Sequence, residues 1–199
     1  MKRFFALVLT GLLLFALAAC SGAPADQAPF SDAPEAYRPL MEGILKLVQT
    51  AREEDGDWAW IREPGMEDLE SQWLGGVDYT VKGNLGYAVA DINSDGTPEL
   101  LWLGKNRENP EELLLYALFT LQDGAPVRLF SRVLRFTGAL AQDGTLHCTG
   151  STGMETVLTT HKLEPGADEL TQLTEDTLDA GAVNNPPNPM EYRFIPIEK

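Results

Sequence analysis

Cysteine and histidine are scarce in this sequence, and the motifs that mark most catalytic sites are missing. The 199 residues include only two cysteines and two histidines. No cluster of Cys, His and carboxylate residues has the spacing of a zinc site. No G-x-S-x-G, Walker or G-x-G-x-x-G pattern occurs. The chain is therefore predicted not to be an enzyme, and the alternative is a hydrolase that uses an unrecognised site.

Positive charge is also scarce. The chain has 15 Lys and Arg residues against 30 Asp and Glu residues, which gives a formal net charge of −15. So acidic a chain is a poor partner for nucleic acid or for anionic lipid surfaces, because like charges repel. It is compatible with cation binding. We therefore expect no nucleic-acid partner.

The N-terminus has the organisation of an export signal. Lys2 and Arg3 precede an apolar run over residues 4–19. At about 1.5 Å per helical residue this run spans roughly 24 Å, which is shorter than the roughly 30 Å hydrocarbon core of a bilayer. The run therefore predicts a signal peptide rather than a permanent membrane span.

The run ends in Leu-Ala-Ala-Cys (17–20), which resembles the lipobox of bacterial lipoproteins. The resemblance implies cleavage before Cys20 and lipidation of Cys20, and hence a chain anchored in the cell membrane on its extracytoplasmic side. Loss of Lys2 and Arg3 would change the formal net charge from −15 to −17. Cys148 would then have no intrachain disulfide partner. We predict a signal peptide (1–19), a flexible tether rich in Ser, Ala, Pro and Asp (20–33) and a single folded domain (34–199).

The folded part combines one helical pattern with several strand patterns. Apolar residues recur at three- and four-residue steps over residues 34–54, which predicts an amphipathic helix. Short apolar runs, several of them joined by Asp-Gly turns, predict strands over 85–90, 99–104, 113–121, 127–136, 145–150, 156–163 and 192–197. The predicted fold class is α+β, with the N-terminal amphipathic helix packed on an antiparallel β-meander.

The segment DINSDGTPEL (91–100) is the candidate metal site. With Asp91 as position 1, Asn93 and Asp95 occupy positions 3 and 5, and glycine occupies position 6. These are the positions at which a calcium loop needs side-chain oxygens and a sharp bend. Thr97 would add its backbone carbonyl, and Glu99 would add a carboxylate. Position 12, where an EF-hand needs glutamate, is tryptophan, so the segment does not match the EF-hand pattern.

This segment resembles the short D-x-[DN]-x-D-G-x-x-[DE] calcium loops of the FG-GAP repeats of integrin-like propellers. The resemblance implies that Glu99 is the last ligand; it covers about ten residues and does not extend to the propeller fold. More broadly, YAVADINSDGTPELLWLG, DGAPVRLFSR and QDGTLHCTGS are similar to a set of uncharacterised surface lipoproteins of anaerobic gut bacteria, which implies no activity.

We therefore predict one structural Ca²⁺, bound with a dissociation constant of roughly 10⁻⁴–10⁻³ M. The alternative is a polar turn without metal, although crowded acidic side chains would then repel each other by about 1 kcal/mol.

Three tryptophans are candidates for a glycan site. Trp58 and Trp60 would lie on one face of an extended segment, and Trp73 follows in the next stretch. Exposed indoles stack on sugar rings, but large aromatic residues more often belong to a core. The function predicted from the sequence is a non-enzymatic binding or interaction module of the cell envelope, with an unknown protein or glycan as its partner. The alternative is a carbohydrate-binding accessory lipoprotein that uses these tryptophans.

Overall fold

The structure is a computed structural model and describes residues 30, 32–53, 81–132, 136–179, 181–182 and 184–197, with only the backbone of 47 and 50–53. The helix and all strands belong to the unit Asp32–Lys199. Cys20, Trp58, Trp60 and Trp73 lie outside the described residues, as do the predicted signal peptide and most of the predicted tether. The lipidation and glycan predictions therefore stay predictions.

A short 3-10 turn, Glu35–Tyr37, leads directly into helix α1, Arg38–Glu53. Tyr37, Met41, Ile44 and Val48 are all at most 2% exposed, and their three- and four-residue spacing makes them one face. The Tyr37 hydroxyl donates a shared hydrogen bond to two carbonyl oxygens, that of Pro98 at 3.1 Å and that of Phe119 at 3.2 Å. Those bonds attach the start of the helical segment to the sheet.

In the part of the chain that the structure describes, nine strands form two antiparallel sheets. The strands are β1 Leu85–Ala90, β2 Glu99–Lys105, β3 Leu113–Gln122, β4 Ala125–Ser131, β5 Phe136–Leu140, β6 Thr145–Ser151, β7 Glu155–Leu163, β8 Leu170–Asp179 and β9 Ile195–Pro196. The first sheet has the order β4-β3-β2-β1-β9, and the second has the order β5-β6-β7-β8.

The predicted α+β class, with a helix on a single meander, is wrong. The described part of the chain is mostly β, in two antiparallel sheets, with one helix. The apolar run 127–136 is the clearest reason, because it contains residues of both sheets: β4 ends at Ser131 and β5 begins at Phe136. An apolar run shows that a strand is buried, but it does not show which sheet the strand joins.

The two sheets contribute to one hydrophobic cluster. The first sheet supplies Leu101, Leu103, Leu115 and Leu118, and the second supplies Leu140, Leu146, Cys148 and Leu163. The rings of Phe130 and Phe136 meet with centroids 5.9 Å apart, which joins β4 to β5. Since fully burying a leucine contributes about 1.5–3 kcal/mol, this shared cluster is a major source of stability.

Strand β2 is buried on both faces, because residues 100–103 all have no exposed surface. Continuous apolar sequence is typical of such a strand. The indole N–H of Trp102 has no hydrogen-bond partner among the described residues.

The C-terminal segment 184–197, which we call the C-terminal strap, connects the two sheets. Its backbone continues along the end of β5 through the bonds Gln142 N to Asn188 O (2.8 Å) and Met190 N to Leu140 O (2.9 Å). Further on, β9 pairs with β1 of the first sheet. The strand predicted over 192–197 is thus reduced to two residues, and the rest of the strap is an irregular segment.

Candidate metal centre

The segment 91–99, which we call the 91–99 loop, comprises the connection between β1 and β2 and the first residue of β2, and its own side chains hold it in a tight conformation. Strands β1 and β2 are antiparallel and pair at Ala90 and Glu99, so the loop closes one end of that pair. Ser94 and Gly96 have positive φ angles of 59° and 87°. The bend predicted at the glycine of position 6 is therefore present.

Asp91 and Asn93 direct oxygen atoms at the same backbone nitrogen. The amide of Asp95 donates to Asp91 Oδ1 at 3.1 Å and to Asn93 Oδ1 at 3.2 Å. The amide of Gly96 donates to the other Asp91 oxygen at 2.9 Å. The loop therefore curls around its first carboxylate, and the oxygens of positions 1 and 3 converge.

Asp95 links the loop to the connection between β7 and β8. One of its oxygens accepts a bond from the Thr97 amide at 2.7 Å, and the other accepts one from the Gly166 amide at 2.9 Å. These backbone N–H groups, with Gly166 first, lower the pKa of Asp95. Asn93 donates to Asp95 Oδ2 at 2.9 Å and to the carbonyl of Glu164 at 3.4 Å. The loop thus contacts the second sheet as well as the first.

The second contact with that sheet comes through Gly144, in the turn between β5 and β6. Its φ is +80°, and a Cβ built on it would lie 2.1 Å from the carbonyl oxygen of Ile92. Because no side chain tolerates such an approach, glycine is required here for the turn to pack against the loop.

Glu99 differs from the other predicted ligands because it is fully buried. Its Oε2 accepts a bond from the Ile92 amide at 2.9 Å, and its Oε1 accepts one from the Thr120 hydroxyl at 3.0 Å. Burial raises the pKa of Glu99, and the charges of Asp95 and Asp91 raise it further. The two hydrogen bonds lower it without cancelling these effects.

The predicted ligands are brought together only in part. Asp91, Asn93, Asp95 and Thr97 form one hydrogen-bonded group, and Glu99 joins it through the backbone of Ile92. Within the described ranges, no three His, Cys, Asp or Glu side chains form a group that could hold a metal ion. The predicted ligand set also includes two oxygens of other kinds, the side-chain amide oxygen of Asn93 and the backbone carbonyl oxygen of Thr97.

Three partners of this loop carry no signal in the sequence around it. Thr120, Glu164 and Gly166 lie 21 or more residues away from the side chains that they contact. Thr120 lies inside an apolar strand, and the sequence around Gly166 indicates only a turn. No local pattern joins these positions to the loop.

The adjacent residues His147 and Cys148 of β6 have different environments. Cys148 lies in the hydrophobic cluster, and burial raises its pKa to about 12. His147 is half-buried and bonds to the Thr145 hydroxyl and to Asn184 Oδ1, both at 3.2 Å. Adjacent residues of a strand point to opposite faces, so these two side chains do not form a nucleophile and base pair.

Among the described residues, no helix has the length and apolar character needed to cross a membrane. Comparisons of the chain with protein-family models, with curated proteins and with solved structures find no match.

Proposed function

We propose that this chain is a non-enzymatic lipoprotein of the cell envelope, whose folded domain is a binding module stabilised by one structural Ca²⁺ in the 91–99 loop. The anchor would be a lipid on Cys20, on the extracytoplasmic side of the membrane. This part of the proposal is supported by the charged start, the apolar run and the lipobox-like Leu-Ala-Ala-Cys sequence.

The calcium part rests on one observation, the environment of Glu99. This carboxyl group is fully buried, and the charged side chains that act on its pKa are Asp95 and Asp91, which are both acidic. A buried carboxylate among like charges is costly unless a cation compensates it. A bound divalent cation would remove that cost.

The residues fit a hard cation in their chemistry. Asp91, Asn93, Asp95 and Glu99 offer oxygen atoms, and oxygen is what Ca²⁺ prefers. Each oxygen of Asp91 and Glu99 accepts one hydrogen bond within the described contacts, and a carboxylate oxygen can accept two. Calcium bound there would hold the loop against both sheets, which is a structural role.

The test is thermal unfolding of residues 26–199 with EDTA and with calcium. At a calcium concentration ten times Kd, binding adds about 1.4 kcal/mol to the free energy of unfolding, which corresponds to a rise of about 3–6 °C in Tm. The rise should vanish in an Asp91→Ala/Asp95→Ala variant. It should persist in Asp176→Ala, an exposed acidic residue on β8. If calcium leaves the Tm of the parent unchanged, the loop is a turn and the calcium proposal is wrong.

A further inference from the structure

A cavity of about 460 Å³ lies beneath the C-terminal strap, and we call it the strap cavity. Its walls come from three parts of the chain: residues 111–113 and 115, around the start of β3; residues 138–140 of β5; and residues 185, 186 and 189–192 of the strap. Its volume falls in the range of about 300–1,000 Å³ that is typical of small-molecule sites.

The floor of the strap cavity is apolar. Leu115 and Leu140 belong to the hydrophobic cluster, and Leu113, Met190 and Tyr192 pack against that cluster. Burial raises the pKa of Tyr192 to about 12, so its hydroxyl carries no charge near neutral pH. A ligand could therefore bury an apolar group here without meeting a buried charge.

The rim of the same cavity is acidic. Glu111, Glu112 and Glu191 line it, and its lining contains no Lys, Arg or His. Salt bridges among the described residues involve neither Glu111 nor Glu191. Three glutamates from two distant parts of the chain thus line one cavity, and no cation of the described lining compensates them.

Part of this site is held in place before any ligand arrives. The Glu112 carboxylate accepts a bond from the Asn106 side chain at 2.7 Å, and the Asn106 amide donates to the Glu112 carbonyl at 2.9 Å. Elsewhere in the lining, Pro186 and Pro189 restrict the backbone of the strap. Preorganisation of this kind lowers the entropy that binding costs.

We propose that the strap cavity binds a small organic cation, in which one ammonium group is joined to an apolar body. The ammonium group would donate to the acidic rim, and the apolar body would cover the leucine floor. An inorganic cation would leave the floor unfilled, and an anion would be repelled by the rim. This inference rests on the proposed role as a binding module, and it does not depend on calcium.

The test is isothermal titration of the full chain in non-ionic detergent with three probes of one shape: phenethylammonium, 2-phenylethanol and phenylacetate. We expect phenethylammonium to bind at least tenfold more tightly than the other two, and more weakly at high salt. Equal affinity for the neutral alcohol, or no binding of the cation at millimolar concentration, would overturn the proposal.

Two double variants locate the site. Glu111→Gln/Glu191→Gln should weaken binding of phenethylammonium at least tenfold without changing Tm, since both side chains are exposed. The control is Glu175→Gln/Asp176→Asn on β8, at the opposite edge of the second sheet from β5; it makes the same change in net charge and should leave affinity unchanged. Equal loss in both variants would reveal a general effect of net charge and would overturn the assignment to the strap cavity.

Titrations in EDTA and in calcium separate this inference from the metal proposal. Binding of the cation in both solutions, with no calcium-dependent rise in Tm, would support the cavity and refute only the calcium site. A rise in Tm without any binding of the cation would overturn only the cavity inference.

Discussion

Replacing Glu99 with glutamine is the sharpest test of the electrostatics of the 91–99 loop. Glutamine has nearly the same shape and can keep both hydrogen bonds. Its carbonyl oxygen can accept from the Ile92 amide, and its amino group can donate to the Thr120 hydroxyl, which can turn to accept. The variant therefore removes the charge and keeps one hydrogen bond to each neighbour, with the bond to Thr120 reversed in direction.

The direction of the effect follows from the raised pKa of Glu99. Because the folded-state pKa lies above the ordinary value of 4.5, the native state binds more protons than the unfolded state between these two values. The free energy of unfolding therefore falls as pH rises through that window. Above the folded-state pKa it falls no further on account of Glu99. Each unit by which the pKa is raised costs about 1.4 kcal/mol.

We therefore expect Glu99→Gln to be more stable than the parent in EDTA at pH 7. For a domain of this size, each 1 kcal/mol raises Tm by about 2–4 °C. The advantage should shrink as pH falls toward 4.5, where the parent carboxyl becomes protonated. In calcium the difference in Tm between the variant and the parent should narrow or change sign, because the variant has lost one negatively charged ligand.

The assay is calorimetric or circular-dichroism melting from pH 4 to pH 8, in EDTA and in calcium. The control is Glu108→Gln, an exposed glutamate in the turn before β3, which should follow the parent at every pH. If Glu99→Gln melts below the parent in EDTA at pH 7, the hydrogen bonds of the carboxylate outweigh its burial, and the reasoning about Glu99 is refuted.

Two further predictions concern the packing of the second sheet. Gly144→Ala should destabilise the domain by about 3 kcal/mol or more, because its Cβ would collide with a backbone carbonyl oxygen at a positive φ. Gly124→Ala has a similar φ of +77° but no atom within 4 Å, so it should cost only about 1–2 kcal/mol, and equal Tm losses would refute the packing argument. Asn184→Ala should cost about 1–3 kcal/mol in melting experiments, since its side-chain amide donates to the carbonyls of Cys148 (3.4 Å) and Thr159 (2.9 Å). An unchanged Tm would show that the strap is not held by these bonds.

Strands with a strong local pattern were predictable, and their turns were too. β1 was predicted with its observed limits, Leu85–Ala90, because six apolar or small residues lie between polar segments. The Asp123-Gly124 turn was predicted from residues that accept positive φ, and both have it, at 51° and 77°. These features depend on a few adjacent residues, so they can be read without the fold.

Strand β8 could not be predicted in the same way. The sequence of Leu170–Asp179 has no alternation of apolar and polar side chains, and all of its residues are exposed apart from the half-buried Leu170. It forms a strand because β7 offers backbone hydrogen bonds along its whole length. A pairing partner therefore decided this element, and its own side chains did not.

The sequence by itself determined several of the strands, where several turns lie and which oxygen-bearing side chains stand at the spacing of a calcium loop, because these properties arise within a few residues. Only the tertiary structure decided the division into two sheets, the burial of Glu99 and the placement of Glu111 and Glu191 in the lining of one cavity. Each of these depends on contacts between residues far apart in the chain. Such contacts are selected by packing and backbone pairing, which no local pattern of residues records.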